Sequence, residues 1–422
     1  MKIQPLRGAR DLYPKDRAIQ NWLFSAWRKV SQKFGYEEYE GPILEPFELY
    51  EKKSGQELVA EQTYVFEDRG GRKVAVRPEM TPTLARMISS RQNQILTPIR
   101  WFSIGNFWRY EKPQKGRGRD FYQWNADLLG PASPEADAEI IALAIEFFKE
   151  VGLSTSEIGI KVNDRNLLEK RIETIGIAKN KILPIFRAID KRQKISEREF
   201  EETLKNLGLG KNEIINLTNK ISDLSFENES ERLTQLFSSL SDMGCGNWVF
   251  FDPQVVRGLD YYTSTVFEAY DKNGEFRAIL AGGRYDNLVS DIGGKPLSGC
   301  GFGAGDIVIA LVLEKFGKLP QIKSSPTQVL VTIFDEALFR DSLKISRELR
   351  LTGLNVETYP EVAKLDKQLK YADQKGIPFV AIVGPKEATL DKITLKNMGT
   401  QVQEILSIDE AVDKIKQASR KL

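Results

Sequence analysis

Histidine is absent from this sequence of 422 residues. Without an imidazole the chain cannot assemble a Ser–His–Asp or Cys–His nucleophile, and it has no histidine to act as a general base. Zinc sites built from cysteine and histidine are excluded for the same reason. Any catalysis must therefore depend on carboxylates, arginines, lysines, tyrosines, groups of the substrate or Mg²⁺.

Cysteine and long apolar runs are scarce as well. The two cysteines, Cys245 and Cys300, are far apart and form no CxxC pair, which argues for a reducing compartment. No apolar run approaches the roughly 20 residues that span a membrane, and the N-terminal segment lacks the apolar core of a signal peptide. We therefore expect a cytoplasmic protein that does not bind a membrane.

Neither sign of charge dominates, because 61 basic residues face 59 acidic ones. If the protein binds nucleic acid, local patches must do so. The length predicts more than one domain. Up to about residue 163, strands and helices mix without βαβ order, which favours an antiparallel α+β sheet.

Three changes of pattern divide the rest of the chain. Residues 164–245, rich in Lys and Glu, predict a helical insertion. Strand-like sequence returns at Trp248, and Gly317–Thr327 has the composition of a linker that leads to a βαβ pattern. We predict a first domain over residues 1–325, which includes the insertion, and an α/β domain over residues 326–422.

The stretch Val255–Glu268 reads VVRGLDYYTSTVFE. Arg257, an acid and two phenols within six residues can bind a small zwitterionic or anionic ligand. The alternation after them predicts a strand, which would turn Tyr261 and Tyr262 to opposite faces. An edge strand with a salt bridge and core tyrosines is the alternative interpretation.

A second group of polar residues lies on two predicted strands, Ile99–Tyr110 and Phe121–Leu129. On a strand, Arg109 and Glu111 point to one face, as do Phe121, Gln123, Asn125 and Asp127 on the next strand. Two neighbouring strands would thus present all of these side chains to one floor. Such a floor suits a nucleotide and an amino acid, since arginine binds phosphate and an aromatic ring stacks on a base. The loop between the strands, EKPQKGRGRD, holds four basic residues, and a solvated turn is its alternative explanation.

Four motifs resemble those of class II aminoacyl-tRNA synthetases and, within them, the histidine–tRNA ligase family. GYEEYEGPILE (Gly35–Glu45) is similar to motif 1, and FWRYE followed by FYQW to motif 2. RGLDYY and AGGRYD are similar to the two histidine-specific motifs. The resemblance covers nearly the whole chain and implies a class II catalytic domain followed by an anticodon-binding domain.

The resemblance also implies ligand contacts. The catalytic residues would be Arg109 and Arg257, with Arg257 taking the place of an additional metal ion found in other class II enzymes. The implied histidine-binding residues are Glu79, Met80, Thr81, Arg109, Gln123, Asp127, Arg257, Tyr261 and Tyr262. The implied ATP-binding residues are Arg109, Glu111, Arg117, Arg119 and Phe121. Gln114 and Arg119 would meet the acceptor end of the tRNA, and no metal site built from protein side chains is implied.

The partners implied by the resemblance are L-histidine, ATP with Mg²⁺, histidine tRNA and a second copy of the chain, because motif 1 forms the dimer interface in this class. One alternative is a non-catalytic, histidine-sensing paralogue that regulates ATP phosphoribosyltransferase. Arg109, Arg257 and the segment 327–422 favour the enzyme over that regulator. A synthetase for another amino acid is the third interpretation, and RGLDYY with AGGRYD argues against it.

Two positions depart from the family pattern. Motif 3 ordinarily places an arginine on the nucleotide, whereas GFGAGDIVIALVLE has Asp306 and Val308 in that region. Arg284 and Arg119 are the candidates to compensate. Tyr122 stands where many relatives have histidine. Three local alternatives remain: Glu79 as a helix cap, Tyr262 as a core residue, and the glycines of Ser298–Gly305 as an aid to close strand–helix packing.

Overall fold

The computed structural model describes residues 3–51, 61–192, 195–227, 229–322 and 325–419. It forms two compact units, Met1–Asp11 with Ile19–Pro320 and Leu12–Ala18 with Gln321–Leu422. The undescribed residues include both ends of the chain, residues 193, 194 and 228 of the predicted insertion, and residues 323 and 324 of the predicted linker. In the described part of the chain, no helix is long and apolar enough to cross a membrane.

The first unit is built on a large, mainly antiparallel sheet. Its strands are β1 Glu37–Glu38, β2 Leu44–Pro46, β3 Tyr64–Glu67, β4 Lys73–Val76, β5 Ile99–Trp108, β6 Asp120–Gly130, β7 Ile158–Asp164, β8 Val249–Phe251, β9 Thr265–Asp271, β10 Leu280–Tyr285 and β11 Ser298–Gly305. Eight of them form one sheet in the order β1-β5-β6-β11-β10-β9-β7-β8, and the others form a sheet ordered β2-β4-β3. The outer pairs β1–β5 and β7–β8 are parallel, and the pairs between them are antiparallel. This architecture confirms the predicted α+β class.

The helices up to residue 320 are α1 Pro14–Lys33, α2 Glu48–Glu51, α3 Thr81–Arg91, α4 Pro134–Glu150, α5 Arg165–Glu173, α6 Ile182–Arg192, α7 Glu197–Asn206, α8 Lys211–Ser222, α9 Glu231–Asp242, α10 Leu288–Asp291 and α11 Asp306–Lys315. Helix α4 begins at Pro134, because the Ser133 side chain accepts a hydrogen bond from the backbone of Ala136 and Pro134 opens the first turn. Helices α5 to α9 occupy the region predicted as a helical insertion. Most of them share a separate hydrophobic core.

Alternation along β6 separates the main core from the site. Trp124, Ala126 and Leu128 are buried in the core formed with α1 and α4, where the ring of Trp124 lies 6.0 Å from Trp27 and 5.6 Å from Phe147. Because side chains alternate along a strand, Gln123 and Asp127 lie on the opposite face. That face is the floor predicted from the sequence.

The glycine-rich strands β10 and β11 of the sheet were not predicted from the sequence. Strand β10 begins at Leu280 and runs through the glycines of AGGRY. The glycine-rich segment Ser298–Gly305 is β11, paired with β6 on one side and β10 on the other. Glycine disfavours strands by itself, so only the paired neighbours make these segments strands.

The second unit contains strands β12 Val329–Val331, β13 Val356–Thr358, β14 Phe379–Ile382, β15 Ile393–Asn397 and β16 Gln403–Leu406, with helices α12 Phe339–Leu351, α13 Leu365–Lys375, α14 Pro385–Leu390 and α15 Ile408–Ser419. The sheet order is β13-β12-β14-β15-β16, with β12 parallel to β13 and β14. Buried residues such as Val329, Val331 and Ala381 form its core. These parallel strands and the two helices between them lie where the βαβ pattern predicts them.

Candidate active site

An acid and a phenol meet at the start of α3. The hydroxyl of Tyr261 donates a hydrogen bond to Oε2 of Glu79 at 3.0 Å, and it also hydrogen-bonds the Thr81 side chain. The N-cap position of α3 is Met80. Glu79, 5% exposed, is therefore engaged with the tyrosine of the RGLDYY motif, which disfavours its interpretation as a simple helix cap.

A second acid–phenol pair lies on the sheet itself. The hydroxyl of Tyr285, on β10, donates to Oδ1 of Asp127 at 2.5 Å. Burial raises the pKa of Asp127 to about 7, although the hydrogen bond from Tyr285 opposes that shift. Asp127 therefore changes charge close to neutral pH, and Tyr285 is a pocket residue that the sequence analysis did not single out.

Glycines of β11 make room for the polar side chains of β6. A Cβ atom at Gly301 would overlap the Asp127 carboxylate, and one at Gly303 would overlap the amide of Gln123. In the described structure, Oε1 of Gln123 is buried without a hydrogen-bond partner. The glycine-rich run is thus explained by space beside the pocket, not by strand–helix packing.

Tyr261 and Tyr262 lie in a turn, because β9 begins only at Thr265. The strand alternation predicted for them therefore does not apply. Their ring centroids are 5.0 Å apart in an edge-on contact, and the Tyr261 ring lies 6.1 Å from that of Tyr285. Burial raises the pKa of Tyr262. The positive charge of Arg257 opposes this shift, and the carboxylates of Glu79 and Asp127 add to it. Tyr262 is both a core residue and a neighbour of the pocket.

Arg257 is partly buried beside a carboxylate. Its Nη1 donates to Oε2 of Glu268, on β9, at 2.7 Å. Burial alone would lower the pKa of Arg257, but the interactions with Glu268, Asp190 and Tyr262 together outweigh that effect and the pKa is raised. Among the described residues, no hydrogen-bond partner lies near its buried Nε. An unsatisfied buried donor is costly, which fits a group that meets a ligand.

Arg109 and the aromatic rings around it form the other side of the site. Arg109 lies one residue beyond the end of β5, so the prediction that it and Glu111 stand on a strand is wrong. Its guanidinium lies 5.0 Å from the ring of Phe121, which is stacked 5.9 Å from Phe107, and its Nε donates to the carbonyl of Pro78 at 2.9 Å. Burial lowers the pKa of Arg109.

The loop between β5 and β6 is a narrow turn. The backbones of Gln114 and Arg117 exchange hydrogen bonds of 2.9 and 3.0 Å, and Gly116 at the tip has φ +78°. Glu111, which is buried, forms an ion pair with Arg117, and the Arg119 guanidinium lies 4.1 Å from the ring of Tyr110. The predicted ATP-binding carboxylate and arginine thus contact each other.

Met80 and Arg284, both considered from the sequence, lie in environments other than those expected. Met80 is fully buried, and its sulfur lies 3.8 Å from Nη1 of Arg77. Arg284 cannot replace the motif 3 arginine, because it is 1% exposed and its Nη2 lies 2.6 Å from Oδ1 of Asp137. Arg277 was indicated by no sequence pattern. Burial lowers the pKa of Arg277, and the positive charge of Arg117 lowers it further.

The region of motif 3 has a structural role in this chain. Asp306 accepts hydrogen bonds from Nη2 of Arg10 at 3.1 Å, from Nε2 of Gln20 at 2.9 Å and from the backbone of Tyr122 at 3.0 Å. The Tyr122 ring packs 5.2 Å from that of Phe24, on the helix side of the sheet. A Cβ at Gly116 would lie 3.5 Å from Val308, so the tip of the loop lies against α11.

Taken together, the eight-stranded, mainly antiparallel sheet and the arginines, carboxylates and aromatic rings on one of its faces define a class II aminoacyl-tRNA synthetase catalytic domain. The histidyl-tRNA synthetase family model matches residues 8–305, and an anticodon binding domain model matches residues 328–418. The chain belongs to the histidyl-tRNA synthetase family.

Similar proteins span the full length of the chain. A histidine–tRNA ligase of Leptospira biflexa is 36% identical over 97% of both chains, and one of Thermoplasma volcanium is 38% identical over 98% of both. The crystal structure of histidyl-tRNA synthetase from Nostoc has a TM-score of 0.80, with 25% identity over 99% of this chain and 100% of that one. A structure described as an ATP phosphoribosyltransferase regulatory subunit/histidyl-tRNA synthetase from Bacillus halodurans, 22% identical with a TM-score of 0.71 over 87% of this chain and 96% of that one, shows a likeness of fold alone.

Proposed function

We propose that this protein ligates L-histidine to its tRNA in two steps. Histidine and ATP first form histidyl-adenylate and pyrophosphate, and histidine then passes to the 3′ end of histidine tRNA with release of AMP. The observation that carries this proposal is the pair of acid–phenol contacts, Glu79 with Tyr261 and Asp127 with Tyr285, in a chain of this family that retains Arg109 and Arg257.

The polar groups of the pocket suit the substrate. Asp127 accepts a hydrogen bond from one imidazole nitrogen, and a tyrosine hydroxyl forms a hydrogen bond with the other. Glu79 and Thr81 bind the α-amino group. Gln123 offers a buried acceptor without a partner among the described residues. A pocket that must pair such buried groups rejects amino acids without the two nitrogens, by about 10⁴- to 10⁵-fold in comparable sites.

The activation step needs positive charge on the α-phosphate. The histidine carboxylate attacks the α-phosphorus, and the bond to the oxygen of the leaving pyrophosphate breaks. Arg109 and Arg257 stabilise the negative charge that develops. ATP enters with Mg²⁺ as its counter-ion, stacks on Phe121, and meets Glu111 at the adenine amino group and Arg117 and Arg119 at the outer phosphates. For these contacts Arg117 must exchange its ion pair with Glu111 for phosphate.

The transfer step uses the same site. Gln114 and Arg119 meet the acceptor end, and a phosphate oxygen of the adenylate or a bound water takes the proton of the attacking ribose hydroxyl, since the chain has no histidine. Residues 1–325, with the insertion at about 164–245, form the catalytic domain of this proposal, and residues 326–422 bind the anticodon. The enzyme acts in the cytoplasm as a homodimer.

Histidine-dependent exchange of pyrophosphate into ATP tests the proposal. The folded protein should catalyse exchange with L-histidine and not with other amino acids, and should charge histidine tRNA. A folded protein without exchange that still binds histidine would instead be the regulatory paralogue.

Substitution of Arg257 tests the chemical role of the guanidinium. Arg257→Ala should keep the fold and slow exchange by about 10²- to 10³-fold, the usual effect of removing one group that stabilises developing charge. Arg72→Ala, which changes a strongly exposed arginine, is the control and should exchange at the wild-type rate. A near-normal rate in Arg257→Ala would remove Arg257 from catalysis.

A further inference from the structure

The loop that carries Arg257 is held in an unusual conformation. Arg257 has φ +52°, in the left-handed region that residues other than glycine rarely adopt. A residue persists there only when its surroundings hold it. The glycine of the motif, Gly258, follows Arg257 and does not relieve this position. Contacts from outside the loop must therefore maintain it.

Arg165, the first residue of α5, supplies those contacts. Its Nε donates to the carbonyl of Val256 at 3.0 Å and its Nη2 to that of Arg257 at 3.0 Å. Its Nη1 donates to the carbonyls of Leu259 at 3.1 Å and Tyr262 at 2.6 Å. One guanidinium, with its rigid fan of donors, thus binds four carbonyls of the same turn.

Arg165 is itself held in place. It is 3% exposed, its backbone nitrogen donates to the carbonyl of Ser264 at 3.0 Å, and its guanidinium lies 5.1 Å from the ring of Phe186. In the described structure its hydrogen-bond partners are carbonyls, and no carboxylate forms an ion pair with it. Burial lowers its pKa to about 10, so it remains charged at neutral pH.

The hydrophobic core of the insertion binds the same turn. Val256 is fully buried and belongs to the hydrophobic core formed by α5 to α8, whereas Val255 belongs with Tyr262 to a cluster on the pocket side. The peptide before Arg257 is therefore anchored in the insertion, and the peptides after it are bound by Arg165.

We propose that Arg165 is a positioning residue for histidine activation: through the carbonyls of residues 256, 257, 259 and 262 it holds the Arg257 guanidinium toward the reacting phosphate. This role rests on the proposed function, because it requires that Arg257 stabilise the activation step. It makes the insertion part of the adenylation machinery. Arg165 touches no substrate and acts through Arg257.

Arg165→Lys tests the role, because lysine keeps the charge but cannot reach four carbonyls with one ammonium group. We expect kcat for pyrophosphate exchange to fall by about 10- to 100-fold, the effect of a small misplacement of a catalytic group. KM for ATP should change much less, because Arg109 and Phe121 lie outside the turn, whereas KM for histidine should rise moderately, because Tyr261 of the same turn hydrogen-bonds Glu79. Circular dichroism and the thermal midpoint report whether the variant folds.

Arg187→Ala is the matched control. Arg187 is another arginine of the insertion that binds the same turn, but it does so through the Asp260 side chain, at 2.5 and 3.1 Å, and leaves the carbonyls around Arg257 untouched. Its kcat should differ from wild type by less than about threefold, as expected for a partly exposed ion pair. An equal loss of kcat in Arg187→Ala and Arg165→Lys would overturn the specific role of Arg165.

A double-variant cycle separates positioning from general stabilisation. If Arg165 acts through Arg257, Arg165→Lys should cost little further activity when Arg257 is already alanine. The proposal would be overturned if the losses of activity from the two substitutions multiply in the double variant. A wild-type kcat in Arg165→Lys would overturn it as well. If Arg165→Lys does not fold, Val256→Ala takes its place in the same cycle with the same expected outcome. A wild-type protein without exchange would overturn the proposed function itself and this role with it.

Discussion

Asp127 is the pocket residue whose charge depends most on pH near neutrality, since burial raises its pKa to about 7. As a carboxylate it accepts the imidazole N–H, and as a carboxylic acid it competes as a donor. kcat/KM for histidine should therefore fall as the pH is lowered through about 7. The imidazole of free histidine titrates near 6.5, so a comparison of wild type with Asp127→Asn isolates the contribution of the protein. A variant profile identical to wild type would show that Asp127 does not titrate in this range.

The same shift has a consequence for stability. The pKa of Asp127 is raised in the folded state, so its ionisation costs stability as the pH rises from about 4 to about 7 and the full cost remains above that range. Asp127→Asn removes the cost. The gain in thermal midpoint over wild type should be larger at pH 8 than at pH 5, as measured by differential scanning calorimetry, and an equal gain at both would contradict the raised pKa.

At the scale of elements, glycines in β11 leave space for the polar side chains of the neighbouring strand β6. Gly303→Ala adds a Cβ that would overlap the Gln123 amide, so we expect Gln123 to be displaced and KM for histidine to rise, with little change in KM for ATP. Gly305→Ala is the matched control in the same strand, because a Cβ there meets no described atom within 4 Å. Equal effects of the two substitutions would indicate a loss of strand stability instead of a steric effect on Gln123.

Local sequence patterns predict the elements that have their own signals. Ser133 and Pro134 are local signals for the start of α4, and the alternation of β6 predicts which of its side chains share the site. Strands β10 and β11 escape such patterns because glycine carries no side chain to alternate. Their strand conformation comes from the ladders to β6 and β9 on either side.

At the scale of the whole molecule, apolar side chains near motif 1 support the proposed dimer. Ile43, Leu44, Val65 and Phe66 are between 37% and 50% exposed on or beside the β2-β4-β3 sheet. Contiguous exposed apolar surface marks an association site. Leu44→Glu should therefore lower the mass seen in sedimentation equilibrium toward that of a monomer. Leu351→Glu, in the second unit and 72% exposed, should leave the mass unchanged, and a Leu44→Glu protein of unchanged mass would place the interface elsewhere.

The sequence by itself determined the class of chemistry. It excluded imidazole catalysis through the absence of histidine and assigned the polar face of β6, because these are properties of composition or of short-range periodicity. The resemblance of RGLDYY and AGGRYD to known motifs indicated the family. Only the tertiary structure decided which residues become partners. It paired Asp127 with Tyr285, committed Arg284 to Asp137, turned Tyr122 toward the core and brought Arg165 to the turn of Arg257. These contacts join residues nearly a hundred positions or more apart, and a pattern with a period of two or four residues carries no information about them.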